Sequence, residues 1–235
     1  VLDLRSGAVV FVGDGKGAEA LAPFWRRLKG AKAKIQAVAT DMSPAYIRAV
    51  SENLPNAAIV FDRFHIVKLF NDRLSDLRRS LYHKAITSEE KNVIKGTRWL
   101  LLKNPENLDA KRDEPDRLSQ ALEINKPLAT AYYMKEDLRQ LWAQSTKKQA
   151  YEFLIDWIYR AGSSGIAMLR KFAKTLAVHM NGILAFYDYR ISTGPLEGTN
   201  NKIKTMKRQA YGFRDHEFFK LKIMSLHMTR YALVG

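Results

Sequence analysis

The sequence has no cysteine, which excludes a disulfide framework and any thiolate metal site. No apolar run approaches the ~18 residues that a bilayer-spanning helix needs. The five histidines show neither the H-E-x-x-H spacing nor another zinc-ligand pattern. Pro/Gly/Ser-rich and single-residue tracts are missing, and a hydrophobic fraction of 46% with 27% charged residues is ordinary for a folded protein. Gly13-Asp14-Gly15-Lys16-Gly17 lacks both the G-x-G-x-x-G spacing and a GK[ST] ending, which argues against a nucleotide loop. The chain opens on Val1 inside a strand-like run, with no initiator Met and no signal peptide. The expectation is a soluble cytoplasmic protein whose N-terminal strand is missing. Acidic residues are scarce: 24 Asp and Glu face 39 Lys and Arg, a net charge of +15. That imbalance favours a polyanionic partner, because each neutralised phosphate releases condensed counterions.

Two short apolar runs at 1–4 and 8–12, joined by Arg5-Ser6-Gly7, have the length and turn chemistry of an antiparallel hairpin. Leu21, Phe24, Trp25 and Leu28 recur at helical spacing and the pattern stops at Gly30. Residues 34–40 read as a buried strand, after which Ser43-Pro44 supplies an N-cap and first-turn proline for a helix to about Asn53. A further short run, 57–61, ends in Asp62-Arg63-Phe64-His65. From there to Tyr189 the pattern is helical: Thr87 with Glu90 makes a capping box, and Pro115 and Pro127 stand where helices start. Amphipathic stretches at 151–159 and 166–186 predict a helical bundle. Thr193-Gly194-Pro195 breaks the chain, and helices are predicted over 196–210 and 216–233. The fold class is therefore α/β, with a first core segment at 1–63, an all-helical insertion at 64–190, and C-terminal helices at 191–235 that complete the core.

At about 100° per residue, Glu197, Asn201, Lys204 and Arg208 fall on one helical face. Leu196, Thr199, Ile203, Met206 and Ala210 fall roughly opposite, facing the core. A carboxylate leading a stripe of amide and cationic groups suits a divalent metal and a phosphodiester together. Asp41 stands at the end of a central strand, where open α/β sheets bind ligands. Phosphoryl transfer needs metal ions that activate the attacking oxygen and steady the leaving one, and carboxylates suit hard Mg²⁺ or Mn²⁺. Eight Lys and Arg from position 202 onward (202, 204, 207, 208, 214, 220, 222, 230) make this end a phosphate-facing surface. In the segment 211–214, Tyr211 and Phe213 are expected in the core and Arg214 on DNA.

Three blocks carry a resemblance: Asp41-Met-Ser-Pro-Ala-Tyr46; Val60-Phe-Asp-Arg-Phe-His-Ile-Val-Lys68; and Thr193 to Arg208 (TGPLEGTNNKIKTMKR) with Ala210-Tyr-Gly-Phe-Arg214. Together they resemble the transposases of the ISL-three type of bacterial insertion sequences, over essentially the whole chain. The resemblance implies a ribonuclease H-like mixed sheet interrupted by an all-helical insertion, with Asp41 and Glu197 as catalytic metal ligands. It implies two Mg²⁺ or Mn²⁺ ions, cleavage and joining of double-stranded DNA at inverted-repeat ends and target sites, and a homo-oligomer on DNA. Asn201, Lys202, Lys204, Lys207, Arg208 and Arg214 would contact that DNA. His65 matches a recurrent family position without an assigned chemistry. The first acid of such families has no counterpart here. Asp3 and Asp14 are the nearest substitutes, and the isolated chain is expected to be inactive. Two other readings are a DNA-binding remnant without catalysis and a structure-selective nuclease on the same scaffold.

Overall fold

The computed structural model describes residues 1–226 except 16 and 32. Arg230 and the end of the helix predicted to reach residue 233 lie outside the described residues. A short 3-10 turn, Ala18–Leu21, runs into α1 (Ala22–Ala31), followed by β1 (Ala37–Thr40), α2 (Pro44–Asn53) and β2 (Ala58–Phe61). Helices follow: α3 (Arg63–Lys84), α4 (Ser88–Gly96), α5 (Glu114–Ile124), α6 (Lys126–Arg139), α7 (Lys147–Ser163), α8 (Ala167–Leu184), α9 (Gly194–Gln209) and α10 (His216–Ser225). Two compact units result, Val1–Asp62 with Tyr189–Gly235, and Arg63–Asp188.

Helix starts follow local chemistry. Thr87 and Glu90 form a reciprocal capping box at α4, and Thr146 and Gln149 form one at α7. Asn125 caps α6 through the Leu128 N–H at 3.0 Å, and Asp215 caps α10 through the Phe218 N–H at 2.9 Å. Prolines stand in the first turns of α2, α5, α6 and α9, where the missing N–H costs nothing. Gly30 does not end α1 as predicted; it lies inside the last turn, which closes at Ala31.

In the first unit, β1 and β2 pair in parallel with Ala37 opposite Ala58 and Thr40 opposite Phe61. In the same unit, residues 1–12 pair antiparallel as predicted, but more narrowly than a two-strand hairpin. A single antiparallel bridge joins Leu2 and Val9. The reason lies in the turn. Asp3 accepts from the Arg5 N–H, the Ser6 N–H and the Ser6 hydroxyl, the last at 2.5 Å. Those bonds curl residues 4–6 and Gly7 takes φ +75°, while the arms still meet: the Asp3 N–H donates to the Ala8 carbonyl at 2.9 Å and the Val10 N–H to the Val1 carbonyl at 3.0 Å. The Ser6 hydroxyl and Arg5 N–H hold the Asp3 carboxyl below the usual carboxylate range. The arms pack on α1 through Phe11 and Phe24, whose ring centroids are 5.6 Å apart.

The second unit is all helical among its described residues. Its centre is an aromatic triad: Phe70 of α3, Trp157 of α7 and Phe172 of α8, with centroids 4.8–6.1 Å apart in edge-on arrangements. Ile66, Leu74, Leu128, Leu154, Leu169 and Leu176 complete this core. The Trp157 indole N–H donates to the Met134 carbonyl at 3.0 Å, tying α7 to α6. Lys135 is also buried. Its ammonium donates to the carbonyls of Leu101 and Lys103 at 2.8 and 3.2 Å and forms an ion pair with Glu136 at 2.6 Å without hydrogen-bond geometry. Burial pushes this ammonium below the ordinary lysine range, and Glu136 opposes that shift. The same burial, with Glu136 nearby, pushes the Tyr132 phenol up to about 12.

Trp157→Ala is expected to destabilise the chain by roughly 3–5 kcal/mol through the cavity it leaves. Trp157→Phe, which keeps most of the packing but removes the indole bond to the Met134 carbonyl, is expected to cost less, about 0.5–1.5 kcal/mol. Urea unfolding followed by circular dichroism measures both.

Candidate functional site

Asp41 directly follows β1. Its Oδ1 accepts the Ser43 N–H at 3.0 Å, so the carboxylate itself shapes the turn into α2. Ser43 occupies the N-cap position but makes no side-chain cap bond. Asp41 Oδ2 accepts no hydrogen bond among the described residues. Asp62 follows β2 in the same relation, and its N–H donates to the Thr40 carbonyl at 3.3 Å. Two carboxylates therefore stand at the C-terminal ends of neighbouring parallel strands, the usual ligand side of such a sheet.

Asp62 is only 4% exposed. Its Oδ2 accepts the N–H of Thr193, also buried, at 2.7 Å. The Thr193 carbonyl in turn accepts the Glu197 N–H at 2.9 Å in the first turn of α9. Starting from Thr40, the neighbour of Asp41, three hydrogen bonds lead through Asp62 and Thr193 to Glu197. This relay connects the strand ends to the helix that carries Glu197, and a helix N-terminus favours a carboxylate.

Glu197 is half-buried, while Asn201, Lys202, Lys204, Lys207, Arg208 and Arg214 are exposed. Leu196, Thr199, Ile203 and Met206 are partly covered. The first three of them line a cavity of about 320 Å³ together with Val9, Phe11 and Ile223. Ala210, assigned to that inner face, is exposed instead, because the helix ends at Gln209. Tyr211 departs from expectation more sharply. It is not in the core but fully exposed at 102%, with φ +51°. The N–H groups of Tyr211 and Gly212 donate back to the carbonyls of Arg208 and Lys207, a left-handed helix ending that swings the ring outward. Phe213 is half-buried and outside the buried core, stacked on Phe219 with centroids 4.5 Å apart.

Asp3 and Asp14 are engaged elsewhere. The Asp3 oxygens serve the turn described above, and Asp14 pairs with Lys220 at 2.6 Å. Lys16 of the glycine loop lies outside the described residues, and a 3-10 turn, not an α-helix N-terminus, follows Gly17. His65 occupies the first turn of α3, its ring centroid 5.7 Å from that of Phe64. Among the described residues no three His, Cys, Asp or Glu side chains gather into a metal-holding group. Carboxylates such as those of Asp41 and Glu197 are the donor type that Mg²⁺ takes, one or two of them completed by water and substrate phosphate. The sequence reading gave no role to Asp62 or Thr193. The available signal was an Asp directly after a short apolar strand, the same context that singled out Asp41.

A transposase family model, of the ISL-three type with a DDE domain, matches residues 1–223. The chain belongs to this transposase family. Within it, the chain is 38% identical over 226 residues to the transposase for insertion sequence element IS1001 of Bordetella parapertussis, covering 95% of this chain and 55% of that one. It is 29% identical over 261 residues to the transposase for insertion sequence element IS1557 of Mycobacterium tuberculosis (strain CDC 1551 / Oshkosh), covering 58% of that protein. The chain thus spans a little over half the length of these transposases. A local match of 60 residues, 48% identical, to an ATP-dependent protease of Lactococcus lactis subsp. lactis covers 26% of the chain, too little to set a function. No solved structure matches. Among the described residues no helix is long and apolar enough to cross a membrane.

Asp62→Ala is expected to lower stability by about 1–3 kcal/mol, since it leaves the Thr193 N–H buried without its acceptor; Asp62→Asn keeps an acceptor oxygen and is expected to cost less. Thermal unfolding of the three proteins tests this ordering. Tyr211→Gly is expected to raise stability by roughly 0.5–1 kcal/mol, because glycine takes the left-handed conformation without the steric penalty of a side chain.

Proposed function

We propose that this chain carries the catalytic centre of an insertion-sequence transposase, a ribonuclease H-like α/β core interrupted by the helical unit Arg63–Asp188. The observation that carries the reading is the hydrogen-bond relay from Thr40 through Asp62 and Thr193 to Glu197. It joins the backbone next to Asp41 to the backbone N–H of Glu197 in the first turn of α9, across a long stretch of sequence. Asp41 and Glu197 would hold Mg²⁺ or Mn²⁺, two ions in the working complex. When bound, such ions supply Lewis-acid polarisation of the phosphodiester and a more acidic attacking hydroxyl.

The remaining roles fall to side chains of α9 and the turn after it. Lys204 and Arg208, one and two turns beyond Asn201 on the face of Glu197, neutralise the phosphate that the carboxylates address. Asn201, Lys202, Lys207 and Arg214 hold the flanking duplex by its backbone, which fixes register without reading sequence. The substrates would be the double-stranded inverted-repeat ends and a target duplex, handled by a homo-oligomer assembled on DNA. A second reading, DNA occupancy without catalysis, draws on the engagement of Asp3 and Asp14 in structural contacts; neither offers a free third carboxylate.

Manganese titration by calorimetry separates the two readings. The catalytic reading expects Mn²⁺ binding that falls tenfold or more in both Asp41→Asn and Glu197→Gln, with DNA affinity retained in each. Equal Mn²⁺ affinity in wild type and both variants would sink the metal assignment and leave DNA occupancy.

A further inference from the structure

In the helical unit, four arginines from three separate segments meet at the C-terminal end of α4. Arg78 of α3 donates from Nη1 to the Ile94 carbonyl at 3.4 Å, and Arg117 of α5 donates from Nη2 to the Gly96 carbonyl at 3.3 Å. Arg79 follows Arg78, and Arg98 follows Thr97, the residue that caps the C-terminal end of α4. Arg98 places its guanidinium carbon 4.6 Å from the centre of the Trp99 ring. Among the described residues the one carboxylate paired with this group is Asp76, on Arg79. The Nε of Arg78 is buried and has no hydrogen-bond partner. Burial, and then the nearby charges of Arg98 and Arg79, pull the Arg78 guanidinium below its usual range. Like charges held this close are unfavourable without an anion to separate them.

Trp99 completes the patch. Its backbone is anchored, since its carbonyl accepts from Leu102 and Lys103 and the following Leu100 and Leu101 are buried. Trp99 is nevertheless 64% exposed, with the Arg98 guanidinium over its ring. An exposed indole on an anchored backbone, beside guanidiniums of which, among the described residues, only Arg79 has a carboxylate partner, matches a nucleotide: the base stacks on the ring and the phosphate enters the arginine group. A fully paired duplex keeps its bases stacked internally and offers none to the indole.

We propose that Trp99, with Arg78, Arg98 and Arg117, forms a DNA contact for an unpaired nucleotide, separate from the α9 surface. The contact takes DNA as the substrate from the function proposed above. It adds a preference for strand ends, hairpin tips or extruded bases that the α9 residues do not explain.

The test is fluorescence anisotropy on the whole chain with two labelled DNAs, one fully paired duplex and one identical except for a single unpaired base. Wild type is expected to bind the second roughly fivefold or more tightly, within the range that base–aromatic stacking supplies. Trp99→Ala should erase that preference with little change in duplex affinity and an unchanged unfolding transition; Trp99→Phe should keep part of it. Arg98→Ala with Arg117→Ala should reduce the salt dependence of binding to the unpaired-base DNA by about two phosphate contacts. A preference that survives Trp99→Ala, or wild-type binding that ignores the unpaired base, overturns this contact and leaves the transposase reading intact. Failure of wild type to bind either DNA overturns both.

Discussion

The first unit depends on one buried carboxylate. Asp62 ends β2, its own N–H is held by the neighbouring strand, and its side chain accepts a backbone N–H from a residue 131 positions further along the chain. Hydrogen bonds to charged acceptors contribute about 1.5–3 kcal/mol, and a buried donor left unmade costs a similar amount. The larger effect is geometric. The bond grips the residue just before α9, so the direction of that helix and the position of its first turn follow from the end of the sheet. Glu197, in that first turn, inherits its place from Asp62. Thr193 contributes only its backbone here; its hydroxyl is buried without a partner.

Much of the architecture was legible from local patterns. The capping box at Thr87, the prolines that open α5 and α6, the helix after Ser43-Pro44 and the strands around 37–40 and 58–61 all depend on residues within a few positions of one another. The misreadings concern features decided elsewhere. The antiparallel pairing read from two apolar runs is present at Leu2 and Val9, reduced to a single bridge beside a turn that the oxygens of Asp3 curl. Tyr211 was placed in the core because aromatics usually are, yet the helix ending at Arg208 and Lys207 forces a left-handed residue there and turns the ring to solvent. Ala210 has the right phase for the inner face, but the helix stops one residue earlier. Of the candidate site, Asp41 and Glu197 were visible through their context. Asp62 was not, because its partner is remote and a single Asp after a strand has many ordinary uses.

The helical unit shows the same limit in its charges. A scan for cationic clusters along the sequence points to the C-terminal region, where lysines and arginines are dense. Arg78, Arg98 and Arg117 are separated by α4 and by the turns before α5, so no window of sequence displays them together. Packing of α3, α4 and α5 brings them to one pair of helix-end carbonyls. The same packing spends polar groups inside: Lys135 is satisfied by two carbonyls and Glu114 by Lys103 and the Asp109 N–H. These internal pairs help hold the 3-10 turns at 100–112, while in the arginine group Arg78 and Arg117 spend one nitrogen each on the last carbonyls of α4.

The bond between Asp62 and Thr193 also closes a very long loop, and polymer physics makes such closure insensitive to length. Each doubling of a flexible loop adds only about 0.6 kcal/mol to the entropy of joining its ends, and a loop that folds on its own core departs further from that estimate. The segment between these two residues can therefore gain or lose helices over evolutionary time while the strand end and α9 stay clamped. A single side chain in this position lets one part of a protein diversify without disturbing the geometry of another.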